Sequence, residues 1–140
     1  MRRIVVDTNV LLSFLTDRDE RQQRQADELF QKAVEGEVDL IVHQVVVVEM
    51  VHVLLNFYGV RQEDAALTVK DLLAMPGITP THELAWPLVL ELWPEKVPTF
   101  VDATLAAVAS QGRYDSVATF DAKFSKQLRR LGLTSYWEKA

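Results

Sequence analysis

The chain has 140 residues, 49% of them hydrophobic and 25% charged, with a formal net charge of −5; this is the make-up of one globular domain with a single sizeable core. It has no cysteine, which excludes disulfides and thiolate metal sites. Its longest strongly apolar run, residues 40–48, is broken by His43 and Gln44 and falls far short of the roughly 20 residues that span a bilayer.

The first segment, RIVVDTNVLL, sets three apolar residues, Ile4, Val5 and Val6, directly against an acid, Asp7. Asp7 also breaks any resemblance of Arg2 and Arg3 to the basic start of a signal peptide, so a cytoplasmic location is expected. Residues 3–6 read as a buried strand, and the apolar pattern after Asp7 looks like a helix. Residues 20–35 carry Ala26, Leu29, Phe30 and Ala33 at helical spacing, with Gly36 as a stop. Residues 39–42 read as a second strand. Val45 to Val48 are β-branched, but the apolar stretch runs on to Tyr58 and Gly59, which is too long for a strand, so residues 43–58 are read as a buried helix.

Residues 62–74 read as a helix ended by Met75-Pro76-Gly77, and Ile78-Thr79 as a short strand before Pro80. Residues 83–93 read as a helix whose regular part starts late, at Pro87. Residues 100–110 form a helix closed by Gly112, residues 116–120 a strand, and residues 122–131 a helix closed by Gly132. Residues 134–137 read as a last short strand. No repeat, low-complexity tract or flexible linker divides residues 1–140, so one domain is expected. Strands alternating with helices imply an α/β domain with a mainly parallel sheet. In such sheets ligands gather at the carboxyl ends of the strands, where the strand order reverses.

Two acids stand at those ends: Asp7 after the first strand and Asp121 in SVATFDAKF. Glu49 lies in the most apolar helix, and Asp102 in the first turn of TFVDATLAAV. Taken singly, Asp7 and Asp121 read as ordinary helix N-caps, and Asp102 as the partner of Thr99 in a capping box. Glu49 is harder to explain this way. An ionised carboxylate in apolar surroundings needs a partner or a metal, and only His52, three residues on, is near it in sequence. Four carboxylates at one site raise one another's pKa, a conflict that a divalent cation removes. Oxygen donors suit Mg²⁺ or Mn²⁺, while His43, His52 and His82 lack a zinc spacing.

The pattern resembles the PIN-domain ribonucleases, and most closely the VapC-type toxins of toxin–antitoxin pairs. The resemblance rests on VVDTNVLL, Glu49, FVDATLAA and ATFDAKF, and spans essentially the whole chain. It implies a three-layer α/β/α sandwich around a parallel sheet of about five strands. It makes Asp7, Glu49, Asp102 and Asp121 the metal-binding and catalytic acids for one or two Mg²⁺ or Mn²⁺ ions, supported by Thr8, Asn9 and Thr119. It implies hydrolysis of RNA, of the transfer or ribosomal class, a small antitoxin partner and a homodimer. The chain departs from the family pattern in having no Ser or Thr shortly before Glu49 and no further acid just after Asp121.

With those four acids set aside, 16 acidic residues face 15 basic ones, so the global charge no longer argues against RNA. Lys123, Lys126 and Arg130 share a helical face and are candidate phosphate contacts, as is Arg113. Trp86, Trp93 and Trp137 are expected in the core, and His52 as a satisfied core or interface histidine. The rival readings are a housekeeping PIN nuclease without an antitoxin and an inert PIN-like binding module. A di-iron bundle would need a second E-x-x-H, and a phosphate-receiving domain two adjacent acids after its first strand; the chain has neither.

Overall fold

Strand β1 (Arg2–Val6) lies at the centre of a parallel sheet, and its Ile4, Val5 and Val6 are fully buried. Successive side chains of a strand point to opposite faces, so three buried neighbours in a row require cover on both sides. The computed structural model, which describes residues 1–138, supplies that cover with seven helices. Helices α1 (Thr8–Leu15) and α2 (Glu20–Val34) follow β1 and pack on each other. Then come β2 (Val38–His43), α3 (Gln44–Asn56), α4 (Gln62–Ala74) and β3 (Ile78–Thr81). Helices α5 (Trp86–Leu92) and α6 (Phe100–Gln111), strand β4 (Ser116–Ala118) and helix α7 (Ala122–Arg130) complete the order.

The strand order is β3-β2-β1-β4, with every pair parallel. Ile4 is in register with Leu40 on one side and Ser116 on the other. The chain therefore moves outward from β1 through β2 to β3, then returns to the far side of β1. The order reverses between β1 and β4, and the carboxyl ends of these two strands flank the crevice that such a reversal opens. The α/β/α sandwich is as expected, with four strands rather than about five. Residues 134–137 contribute one parallel bridge, Val117 to Ser135, and no strand. β4 is only three residues long, and Trp137 turns away to stack its ring on Phe120, with Tyr136 edge-on to Trp137.

Residues 44–56 are helical despite the run of four valines, Val45 to Val48. Val46, Met50 and Leu54 form the buried stripe, and the His43 ring caps the helix by accepting from the Val45 N–H at 3.0 Å. Pro87 falls in the first turn of α5, where its missing N–H has no helical partner to lose. Gly77 has a positive φ of 83°, and a Cβ there would sit 2.3 Å from the Ala33 carbonyl oxygen, so only glycine fits where β3 crosses the end of α2.

Candidate active site

Asp7 is placed by backbone pairing. Its N–H donates to the Ala118 carbonyl at 2.9 Å, which locks the end of β1 to the end of β4. Its side chain then does what an N-cap does: Oδ1 accepts from the Thr8 N–H at 2.7 Å. Oδ2 accepts from the Thr119 hydroxyl at 2.7 Å and from Asn9 Nδ2 at 3.2 Å. Asn9 also donates to Thr119 Oγ1 at 3.2 Å, and its Oδ1 accepts from the Phe120 N–H at 3.0 Å. Thr119 Oγ1 in turn accepts from the Asp121 N–H at 3.1 Å. Asp121 Oδ1 caps α7 through the N–H groups of Lys123 and Phe124. An unbroken hydrogen-bonded path thus joins Asp7 to Asp121 across the strand-order reversal. Both acids are N-caps, and both face the crevice; the two readings of them are compatible.

Glu49 arrives from the middle of α3 and Asp102 from the first turn of α6. All four acids line one cleft of about 400 Å³, together with Thr8, Asn9, His52 and Thr99, and with apolar walls from Leu12, Val53 and Val101. Among the described residues neither lysine nor arginine lines it. Thr99 makes no capping bond to α6, so the expected Thr99–Asp102 capping box is absent. Both side chains are turned to other surroundings, and Asp102 is left without that structural employment.

The electrostatics show what this crowding does. Burial pushes the Asp7 carboxyl up from 3.8 to about 6, against the pull of its bonds from Thr119 and Thr8, and Glu49 and Asp121 raise it further. Burial first, then the charges of Asp7, Asp121 and Glu49, push Asp102 up to about 7. A site that holds its own carboxylates against ionisation is one that a divalent cation relieves. The donor set, all oxygen and uncompensated by any cation, fits Mg²⁺ or Mn²⁺. Among the described residues no three acidic or imidazole groups stand close enough to form a closed cage. Mg²⁺ binds through one or two carboxylates and keeps several waters, so an open cleft suits it better than a cage would.

The other sequence candidates are placed less evenly. Lys123, Lys126 and Arg130 are exposed on α7, which begins at Asp121. Arg113 precedes β4, at the end of the sheet opposite the cleft, in a left-handed turn with φ 54°. Trp86 and Trp93 are 51% and 38% exposed, not core, and flank Phe100 beside the start of α6. Their apolar character suggested burial, but α5 is a short helix that turns Val89, Leu92 and, in part, Leu88 to the core instead. His52 is likewise exposed and lines the cleft, so it is not a core histidine. Arg18 had no signal in the sequence: its guanidinium donates to the Asn9 carbonyl at 2.9 Å and to Ser13, bracing the start of α1.

The model of the PIN domain family matches residues 4–127. Among solved structures, the chain resembles VapC20 of Mycobacterium tuberculosis, described as a sarcin–ricin loop cleaving toxin. The two share 23% identity over 88% of this chain and 93% of that one, with a TM-score of 0.66. It also resembles PAE2754 of Pyrobaculum aerophilum, at 16% identity over 90% of this chain and 84% of that one, with a TM-score of 0.63. These likenesses are of fold. No curated protein matches the chain in sequence.

Proposed function

The chain belongs to the PIN-domain family, whose members are nucleases, and from that premise we propose that it is a divalent-metal-dependent endoribonuclease of the VapC toxin type. The observation that supports this most is the meeting of Asp7, Glu49, Asp102 and Asp121 in one cleft without a compensating cation. These four residues would hold Mg²⁺ or Mn²⁺, which when bound supplies a water of lowered pKa and a counter-charge for the phosphate. The protein's own part is positioning. Thr119 and Asn9 fix the Asp7 carboxylate through Oδ2, and Thr8 through Oδ1, so its orientation is set before substrate arrives. The hydrolysis leaves a 3′-hydroxyl and a 5′-phosphate, and it calls on no nucleophilic side chain.

Lys123, Lys126 and Arg130 are proposed as contacts for phosphates leaving the cleft along α7. Arg113 is not included, because it stands at the other end of β4. A toxin also requires restraint. We propose a small antitoxin whose amphipathic segment lies on the α2–α3 side, where Val48 and Phe57 are 60% and 78% exposed. A homodimer formed through the exposed side chains of α5, among them Trp86 and Leu90, completes the proposal. Among the described residues no helix is long and apolar enough to cross a membrane, in keeping with a cytoplasmic site of action.

The direct test is incubation of the purified protein with structured RNA in Mg²⁺ or Mn²⁺. Cleavage that leaves 5′-phosphate ends, stops in EDTA and is lost in Asp7→Asn supports the proposal. Cleavage that persists in EDTA or in Asp7→Asn rejects it. Growth arrest on expression, relieved by the product of an adjacent short gene, tests the toxin assignment; light scattering at micromolar concentration tests the dimer.

A further inference from the structure

The four acids leave a problem for an anionic substrate, since among the described residues no lysine or arginine lines the cleft. The RNA backbone needs a hydrogen-bond donor there that is not already in use. Asn9 spends both ends of its amide on Asp7, Thr119 and Phe120. The Thr8 hydroxyl is shut away from solvent. His52 is different. It lies one helical turn beyond Glu49 on α3, lines the same cleft and is exposed.

The state of its ring is fixed by Asn56, one further turn along. Asn56 Nδ2 donates to the His52 carbonyl oxygen at 2.8 Å, which identifies that atom as the amide nitrogen. The same nitrogen stands 3.1 Å from His52 Nδ1. An amide nitrogen can only donate, so Nδ1 accepts, and the ring hydrogen is carried by Nε2. Glu49 on the same helix, Asp7 from the β1–α1 junction, Asp102 from α6 and Asp121 from the β4–α7 junction are the charged groups around the cleft. None of them is hydrogen-bonded to His52.

We propose that His52 is a substrate-binding residue, donating through Nε2–H to a non-bridging phosphate oxygen of RNA in the cleft, and that Asn56 is the positioning residue that holds its ring in the donating tautomer. This rests on the ribonuclease reading above. A single N–H donor gives the backbone a fixed point beside the acids. Contact with phosphate rather than with a base makes the effect independent of sequence.

The test is steady-state cleavage of two single-stranded RNA oligonucleotides of different base composition by the wild-type protein and by His52→Ala, His52→Gln and Asn56→Ala, with Mn²⁺ binding followed in parallel. His52→Ala is expected to raise KM about 5–10-fold on both RNAs with kcat within about twofold, the loss of one hydrogen bond. Glutamine, whose amide restores a donor, should recover most of this, and Asn56→Ala should fall between. Mn²⁺ affinity should be unchanged. An unaltered KM in His52→Ala, a loss confined to kcat or to one RNA, or a parallel fall in Mn²⁺ affinity overturns the assignment of His52 while leaving the nuclease reading intact. Failure of the wild-type protein to cleave these RNAs and the structured RNA of the direct test overturns the nuclease reading and this inference with it.

Discussion

Asp102→Asn should stabilise the protein in EDTA at neutral pH. Asp102 makes no hydrogen bond that the change would break, and its carboxyl is held up to about 7 by burial and by Asp7, Asp121 and Glu49. In the unfolded chain it titrates near the ordinary 3.8. Below about pH 4 both states are protonated and the residue costs nothing. Between pH 4 and 7 the unfolded chain ionises while the folded one resists, so stability falls as pH rises, and above 7 the cost is constant. A rise from 3.8 to about 7 sets a ceiling of roughly 4 kcal/mol. Asp102 is partly open to solvent, and screening reduces this to about 1–2 kcal/mol. For a chain of this length that is roughly 3–6 °C in Tm. Differential scanning calorimetry of the wild-type protein and Asp102→Asn in EDTA, at pH 4 and pH 8, reads the difference. The variant should melt higher at pH 8 and level with wild type at pH 4. A variant that melts lower at pH 8, or gains equally at both pH values, would refute the repulsion argument.

Gly77→Ala should lower stability by about 2 kcal/mol or more, because it meets both a positive φ and the Ala33 carbonyl; urea unfolding reads this directly. Asn9→Ala removes one of the two links between Asp7 and the β4–α7 junction and leaves the one through Thr119; it should cost about 1–2 kcal/mol of stability and lower kcat. Thr119→Val should cost activity in the same sense, with little loss of volume in the core, as single-turnover cleavage would show. Mn²⁺ should raise the Tm of the wild-type protein at pH 8 by relieving the carboxylates, and should raise that of Asp102→Asn far less.

Much of this architecture could be read from residue order, because the fold and the site share their physics. A parallel strand buried on both faces must be continuously apolar, so the acid that ends it stands out, as Asp7 does; Asp121 stands three residues beyond the end of β4, which stops at Ala118 and not at Phe120 as the sequence suggested. The length of the apolar stretch correctly outweighed the β-branched run at Val45 to Val48, since burial of Val46, Met50 and Leu54 decides that segment. Where local patterns misled, tertiary placement was the reason. Thr99 and Asp102 have capping-box spacing but no capping bond. Trp86 and Trp93 are apolar yet belong to a short helix whose core-facing side chains are Leu88, Val89 and Leu92. Residues 134–137 have strand composition, but β4 is too short to pair with them beyond one bridge. His52 was visible at the right spacing from Glu49; what the spacing could not convey is that its partner is Asn56, which leaves the other ring nitrogen free.

Titration of the wild-type protein with Mn²⁺, followed by the electron spin resonance signal of the free ion, bears most directly on the four acids. They should give saturable binding of one or two ions at pH 8, weakened at least about tenfold by Asp7→Asn and by Asp102→Asn. Saturable binding that neither substitution weakens, or no binding at millimolar Mn²⁺, would contradict the placement of the metal between them.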